Sequence, residues 1–254
     1  MSQDLFCARR GEGGEPLVLL HGFGASHHVW EPVAAALSRD RLVLTPDLPG
    51  HGRSLAYPGA GPVKIAVQAV LAHMESEGIG RFHLAGHSMG GAVASLMAVA
   101  APDRIASLTL LSPGGFGPEI NIRLLTRYAQ AVERDELLPC LEEMVGYRHP
   151  VNAHSLDMLA GIRAREGQRE MLLDVASLMT RDGVQGVIPR EQLAGLPMPV
   201  KVIWGTEDRV LPASQARDLP PLFALHLFGA TGHMLIDEQT EAIIRLIGEN
   251  ARQG

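Results

Sequence analysis

A serine between two glycines is the feature of this sequence with the clearest chemical meaning. Residues 86–91 read GHSMGG, so that Ser88 has a glycine two positions before it and another two positions after it. The segment follows an apolar run that predicts a strand and opens a run that predicts a helix. Glycines at these positions allow a sharp strand-to-helix turn, which exposes the serine hydroxyl at a helix N-terminus. We therefore predict that Ser88 is a nucleophile.

A serine hydroxyl is a poor nucleophile at neutral pH and needs a general base. In folds with this kind of turn, the chain order is serine, then an acidic residue, then histidine. Asp208 follows the apolar run 200–204, and His233 follows the apolar run 224–228. We predict that His233 accepts the Ser88 proton and that Asp208 orients the imidazole ring.

Two alternatives stay open for these partners. Glu207 is adjacent to Asp208 and competes with it as the acid; we prefer Asp208 because it lies closer to the apolar pair Val210 and Leu211, in a tight loop. His233 also suits a capping or surface role, but its position just after the last strand favours the catalytic interpretation.

A second glycine-rich loop, HGFG at residues 21–24, ends the apolar run 16–20. Backbone N–H groups at such a loop and just after the nucleophile can bind the oxyanion of an acyl-transfer transition state. We predict that Phe23 and Met89 supply these donors. A dinucleotide-binding loop is the rival interpretation, but His27 stands where its third glycine would be.

The predicted substrate pocket is apolar. Its expected lining residues are Gly22, Phe116, Leu125, Leu141 and Met234. A plain core position is an equally good interpretation of the two leucines. A further turn-rich segment, DLPGHGRS at residues 47–54, is interpreted as an ordered turn network around its first aspartate rather than as a substrate loop.

The elements that must position these residues are short apolar strands that alternate with helical patterns. The strand runs are continuously apolar, as in strands buried on both faces of a parallel sheet. With one opening strand near residues 5–9, they predict an α/β fold with a mostly parallel sheet of about seven strands and helices on both faces. The strand runs are residues 16–20, 41–45, 82–85, 105–111, 200–204 and 224–228, and the helical patterns are residues 29–38, 65–77, 88–100, 214–219 and 238–250.

One segment interrupts this alternation, since residues 118–192 contain no strand pattern. Amphipathic spacing in two stretches, 137–145 and 171–179, predicts about four helices inserted after the strand that ends near Ser112. We predict that Pro139 lies in the opening turn of the first of these helices. The insertion leaves from the carboxyl end of a strand, where binding sites lie, so we interpret it as a lid over a core made of residues 1–117 and 193–254. A second helical layer of one core is the simpler alternative.

The composition limits the classes of function. The chain has 254 residues, of which 46% are hydrophobic and 20% charged, and a net charge of −6. The weakly acidic balance argues against nucleic-acid binding, and the sequence has no apolar stretch long enough to span a membrane. Cys7 and Cys140 lie far apart, without the spacing of a disulfide framework or a zinc site, which fits a reducing compartment.

Residues 1–4 have no basic segment followed by an apolar run, which indicates no signal peptide and a cytoplasmic protein. We expect no metal and no cofactor. The expected partner is a small acyl substrate, and a homodimer stays open because the sequence does not determine the oligomeric state.

Five motifs in order resemble those of the α/β-hydrolase superfamily over nearly the whole chain. They are HGFG from residue 21, DLPGHGRS from 47, GHSMGG from 86, WGTEDRVLP from 204 and GATGHM from 229. The resemblance implies the same triad of Ser88, Asp208 and His233, and the same oxyanion donors, Phe23 and Met89.

Residues 112–121 are similar to a segment of the acyltransferase component of acetoin-cleaving dehydrogenase complexes, and also of meta-cleavage-product C–C hydrolases. Met234 departs from the tryptophan usual in the C–C hydrolases, and His87 departs from their frequent asparagine. We expect hydrolysis of a small ester, thioester or related acyl compound. Acyl transfer and C–C bond hydrolysis are alternatives at the same site, and a slow or non-catalytic ligand receptor is an alternative of another class.

Overall fold

The structure, a computed structural model, describes residues 5–254, apart from the side chain of Arg181. Residues 1–4, on which the expectation of no signal peptide rests, lie outside the described part. Seven strands form one sheet in the order β1-β3-β2-β4-β5-β6-β7. β1 pairs antiparallel with β3, and every other pairing is parallel. The strands are β1 Cys7–Arg10, β2 Leu17–Leu20, β3 Val43–Pro46, β4 Phe82–His87, β5 Ile105–Leu111, β6 Val200–Gly205 and β7 Ala224–Phe228.

The predicted α/β fold with about seven strands is confirmed. The helices are α1 Glu31–Leu37, α2 Val63–Ser76, α3 Met89–Ala100, α4 Ile122–Gln130, α5 Arg134–Met144, α6 Ala153–Arg163, α7 Gln168–Met179, α8 Arg190–Ala194, α9 Leu235–Glu238 and α10 Thr240–Asn250. Short 3-10 turns lie at His27–Trp30, Gly52–Ser54, Pro102–Arg104, Arg181–Gly183 and Ala213–Ala216.

Alternate residues of the central strands feed two separate apolar layers. Leu17 and Leu19 of β2 pack with α1 and α10 on one face of the sheet. Val18 and Leu20 of the same strand pack on the other face, in the larger layer that holds α2, α3 and the insertion. Because both faces are covered, β2 is apolar at every position, and this is why its sequence does not alternate.

Two elements differ from the prediction. β7 is not buried on both faces, because it is the edge strand of the sheet, and Leu225 and Leu227 are exposed. The helix predicted over residues 214–219 is reduced to the 3-10 turn Ala213–Ala216. It cannot continue, because Asp218 has a left-handed backbone with φ of 55° and two prolines follow it.

The insertion, residues 118–192, contains the four expected helices, α4 to α7. The prediction for Pro139 is wrong, because α5 begins five residues earlier, at Arg134. A capping box sets that start. The Glu136 carboxylate accepts from the Glu133 N–H, and the Glu133 carboxylate accepts from the Glu136 N–H. Pro139 therefore lies in the second turn, inside the helix.

Within residues 5–254, none of the helices combines the length and the apolar character needed to cross a bilayer.

Candidate active site

Ser88 stands at the turn between β4 and α3 with a positive φ of 54°. A Cβ at Gly86 would lie 2.3 Å from the Gly90 carbonyl oxygen, and a Cβ at Gly90 would lie 2.4 Å from the carbonyl oxygens of Leu20 and His21. Contacts this short are impossible, so both glycines are needed for α3 to pack so closely against β2 and β4. This backbone forces Ser88 into its strained conformation at the helix N-terminus.

His233 and Asp208 meet at the same edge of the sheet. The His233 Nδ1 lies 2.8 Å from the Asp208 Oδ2, and both side chains are buried. The other carboxylate oxygen of Asp208 accepts the N–H groups of Val210 and Leu211 at 2.9 and 2.8 Å. Since the carboxylate holds the Nδ1 proton, the Nε2 of His233 is left free to accept a proton.

Glu207, the competing acid, turns away from this pair. Its carboxylate accepts the N–H of Tyr147 at 2.9 Å and is only half-buried. The loop after β6 thus directs one carboxylate to His233 and the other to the insertion.

Ser88 and His233 line one small cavity of about 40 Å³. In the described part of the chain no hydrogen bond joins the Ser88 hydroxyl to the imidazole. Catalytic hydrogen bonds are often long before substrate binds.

The two backbone amides expected to bind an oxyanion flank Ser88. Gly22 packs against Ser88, since a Cβ on it would lie 3.2 Å from the Ser88 Cβ. Phe23 follows in the same loop, and Met89 opens α3, where the first N–H groups of a helix have no partner within the helix. A helix N-terminus with free amides favours developing negative charge.

Ser88 lies at the junction of two cavities. The smaller one also contains Phe23, Met234 and the pair Ser155 and Asp237. The larger one, about 430 Å³, extends from Ser88 between α2, α3 and the insertion. Besides Ser88, Leu125 and Val210 line both cavities.

Comparison with known proteins identifies the fold family. A model of the alpha/beta hydrolase family matches residues 17–246. The chain belongs to this family. The match covers the strands β2 to β7 and includes Ser88, Asp208 and His233.

Three curated relatives are similar to this alpha/beta hydrolase over most of its length. The "dihydrolipoyllysine-residue acetyltransferase component of acetoin cleaving system" of Pseudomonas putida is 37% identical over 233 residues, which cover 92% of this chain and 62% of the relative. A second such component, from Cupriavidus necator, is covered to 61%, so the chain spans about three fifths of these relatives. A "2-hydroxy-6-oxononadienedioate/2-hydroxy-6-oxononatrienedioate hydrolase" of Burkholderia vietnamiensis is 32% identical, and the aligned region covers 96% of this chain and 89% of the relative.

Solved structures share the fold at lower identity. A meta-cleavage product hydrolase from Pseudomonas fluorescens superposes with a TM-score of 0.84 at 24% identity, covering 98% of this chain and 94% of the other. A thermophilic esterase from Thermogutta terrifontis gives 0.78 at 23% identity, covering 98% and 93%.

The five residues predicted to line the substrate pocket fall into two groups. Gly22, Leu125 and Met234 line the smaller cavity. Phe116 and Leu141 line neither cavity beside Ser88 and are core residues instead.

The reasons for these two placements are local. Phe116 packs edge-on against Trp204, with ring centroids 6.3 Å apart, and the Arg190 guanidinium lies 5.0 Å from its ring. Leu141 belongs to the buried face of α5. Core packing was the alternative for Leu141, and it is the correct one.

The sequence pattern missed two residues that hold the His233 loop. Buried His87 lies with its Nε2 2.8 Å from the His233 carbonyl oxygen, and burial lowers its pKa to about 3. The neutral ring therefore donates to that carbonyl. Glu238 accepts three backbone N–H groups, from Gly146, Gly232 and Met234, at 2.9 to 3.1 Å. In the sequence, the only signal for His87 was its place inside the motif GHSMGG, and no signal indicated Glu238.

The loop of residues 47–54 is the ordered turn network that its sequence predicts. Asp47 is fully buried and accepts the backbone N–H groups of His27 and Arg53 at 2.7 and 2.8 Å. Its Oδ1 also lies 2.8 Å from the His27 ring, and these hydrogen bonds lower the pKa of the carboxyl. Asp47 thus holds the loop of residues 47–54 against the segment that begins at His27.

Proposed function

We propose that this alpha/beta hydrolase cleaves carboxylic esters through an acyl-enzyme on Ser88, with His233 as the base and Asp208 as its partner. The observation that carries the proposal is the 2.8 Å contact between the His233 Nδ1 and Asp208, beside a cavity that the imidazole shares with Ser88. This is the arrangement by which a serine hydrolase activates its hydroxyl.

Each step uses groups that line the cavities. The Ser88 Oγ bonds to the carbonyl carbon while His233 takes the hydroxyl proton at Nε2, and the carbonyl oxygen becomes an oxyanion held by the N–H groups of Phe23 and Met89. The bond to the leaving oxygen then breaks, and His233 gives it the proton. Water, deprotonated by the same nitrogen, adds to the acyl-enzyme and releases the acid and the Ser88 hydroxyl.

The insertion is proposed to act as a cap over this reaction. Its side chains supply wall to both cavities: Leu125 to both, Leu159 to the smaller one, and Val175 to the larger one. A cap that excludes water strengthens the interactions of the oxyanion with its donors.

The experiment is labelling with an alkyl fluorophosphonate, followed by mass spectrometry, together with acid release from methyl butanoate. Ser88 is expected to carry the label, and Ser88→Ala is expected to lose both the label and turnover, the latter by at least ~10³-fold. A label on Ser88 with negligible turnover of all esters would instead favour a ligand receptor. An unlabelled protein with unchanged turnover in Ser88→Ala would refute the proposal.

A second candidate, C–C bond hydrolysis of an anionic substrate by the same residues, is favoured by Arg163. This side chain is buried, and its three nitrogens have no hydrogen-bond partner among the described residues. Its guanidinium lies 4.4 Å from the ring of Tyr128, which lines the smaller cavity. A buried cation without hydrogen-bond partners is costly, and a substrate anion would reduce that cost. The Burkholderia relative is named for substrates of the dioate type.

The two candidates separate in Arg163→Met, which removes the charge. Turnover of a 2-hydroxy-6-oxo-dienoate is expected to fall by at least ~10-fold under the second candidate, while turnover of methyl butanoate changes little. No turnover of the dienoate by the unmodified protein would rule out the second candidate and leave the first intact.

A further inference from the structure

The larger cavity has a composition that selects its ligand. We infer that it is a channel for an uncharged aliphatic acyl chain, so that the substrate is a medium- or long-chain acyl ester with a small leaving group. This inference rests on the proposed function, since the chain must be attached to the carbonyl that Ser88 attacks.

The walls of the channel carry no charge. Within the described residues its lining contains no aspartate, glutamate, lysine or arginine. His51 is neutral, because burial lowers its pKa to about 3. The Gln185 amide is already satisfied: its Oε1 accepts the Gly115 N–H at 3.0 Å, and its Nε2 donates to the Glu119 carbonyl at 3.1 Å. An apolar chain would lose no hydrogen bond at Gln185, whereas a charged group would meet no opposite charge in the wall.

The rest of the wall is hydrocarbon. It is formed chiefly by aliphatic side chains of α2, α3, the insertion and the loop after β6. They include Ala66, Val93, Leu96, Val175, Leu178 and Leu211. A volume of about 430 Å³ is within the usual size of ligand pockets and far exceeds that of the smaller cavity.

The position of His233 decides which half of an ester enters which cavity. The imidazole must deliver a proton to the leaving oxygen, so the leaving group lies on its side of Ser88. His233 and Met234 line the smaller cavity and not the larger one. The alcohol therefore departs through the smaller cavity, and the acyl chain points into the channel.

The mouth of the channel is apolar as well. Val63, Leu178 and Val187 line the channel and are also 42%, 45% and 49% exposed. Leu178 closes over Gly61, where an added Cβ would lie 2.9 Å from the leucine Cδ1. A chain that reaches this rim would cover side chains that are otherwise in water, so longer chains gain further contact.

An isomeric pair of esters tests the orientation. Methyl octanoate and heptyl acetate have the same formula, but only the first puts its long chain on the acyl side. Acid release should give a kcat/KM at least ~10-fold higher for methyl octanoate. Equal or reversed values would overturn the inference. Across methyl esters, each methylene from butanoate to octanoate should raise kcat/KM by about fourfold.

Two variants test the path of the chain. Ala66→Phe fills the channel, and Leu178→Trp narrows its exposed mouth. Both should lower the ratio of kcat/KM for methyl octanoate to that for methyl butanoate, Ala66→Phe by at least ~10-fold. The matched control is Leu222→Trp, at a leucine that is 87% exposed and lines neither cavity, and its ratio should equal that of the unmodified protein.

The outcomes distinguish a failure of the channel from a failure of the proposed function. A Ser88 label and methyl butanoate turnover, with a flat chain-length series, would overturn the channel but keep the proposed function. If Ala66→Phe fails to fold, Leu178→Trp decides, because its side chain is half in solvent. An unchanged ratio in Leu178→Trp together with a flat series would refute the channel.

Discussion

Ser88 and His233 are held in place by different parts of the chain. The turn at Ser88 is fixed by backbone against backbone: Gly86 and Gly90 leave no room for a side chain, and the Ser88 N–H donates to the Leu111 carbonyl at 2.9 Å. The loop of His233 is fixed by contacts with the insertion. Its N–H donates to the Met144 carbonyl at 2.7 Å, at the end of a helix of the insertion.

The difference teaches that the insertion does more than line the cavities. A Cβ at Gly232 would lie 2.2 Å from the Met144 carbonyl oxygen, and one at Gly146 would lie 2.3 Å from that of Ala230. The insertion and the histidine loop therefore touch backbone to backbone. Ser88 should keep its place as long as the sheet is folded, whereas His233 should also depend on the insertion.

The largest effect is expected at the serine turn. Gly90→Ala places a Cβ in contact with two backbone oxygens that cannot move without distorting β2, so the free energy of unfolding should fall by about 3 kcal/mol or more. Chemical denaturation measures the loss. The control is Gly80→Ala, where an added Cβ meets nothing within 4 Å. Equal stability of Gly90→Ala and Gly80→Ala would show that the turn is not fixed by packing.

The next effect concerns the histidine loop. Glu238→Ala leaves three backbone N–H groups without their acceptor, so His233 should shift and kcat should fall by ~10²-fold with little change in KM. Glu238→Gln, which keeps an acceptor oxygen, should recover part of the loss. The control is Glu207→Gln, because among residues 5–254 the Glu207 carboxylate accepts a single backbone N–H, from Tyr147. A larger loss of kcat in Glu207→Gln than in Glu238→Ala would show that Glu207, and not Glu238, holds the loop of His233.

His87 joins the serine turn to the loop of His233, and its protonation makes the stability of the fold depend on pH. Burial lowers the pKa values of His87 and His51 to about 3, so the folded state keeps both rings neutral while the unfolded chain binds protons near pH 6.5. Their contribution is complete above pH 6.5 and is lost as the pH falls toward 3, by about 1.4 kcal/mol per pH unit for each ring. Denaturant melts between pH 7 and pH 4 measure the slope.

The variant His51→Phe should make that slope shallower, since one of the two rings no longer takes up a proton on unfolding. His149→Gln, at a half-exposed ring outside both cavities, is the control and should leave the slope unchanged. A slope that His51→Phe does not alter would contradict this account.

The smallest effect is expected at Asp237, in the smaller cavity. Burial raises the pKa of its carboxyl, so the charged form destabilises the fold once the pH exceeds the ordinary value near 4. Asp237→Asn keeps an oxygen for the Ser155 hydroxyl, which donates at 2.9 Å, and should raise the stability at pH 7 by about 1 kcal/mol or less. The gain should disappear below pH 4. Melting curves at pH 7 and below pH 4 measure it, and a gain that persists at the lower pH would contradict the prediction.

The sequence by itself determined the serine turn and the placement of Asp208 and His233 after two neighbouring strands. Gly86, Ser88 and Gly90 belong to one local motif, in which steric conflict within a few residues sets the backbone. Asp208 and His233 follow two strands whose continuous apolar runs predict a parallel sheet, and the carboxyl ends of parallel strands share one edge. Local sterics and strand pattern are readable from residue types alone.

Only the tertiary structure decided what surrounds that edge. It directed Asp208 rather than Glu207 to the imidazole, placed Phe116 and Leu141 in the core, and brought Glu238 to the histidine loop. These outcomes depend on how the helices of the insertion sit against the sheet. A helical pattern shows which face of a helix is buried but not against which neighbour, and contacts between residues some ninety positions apart, such as Gly146 with Glu238, have no local signal.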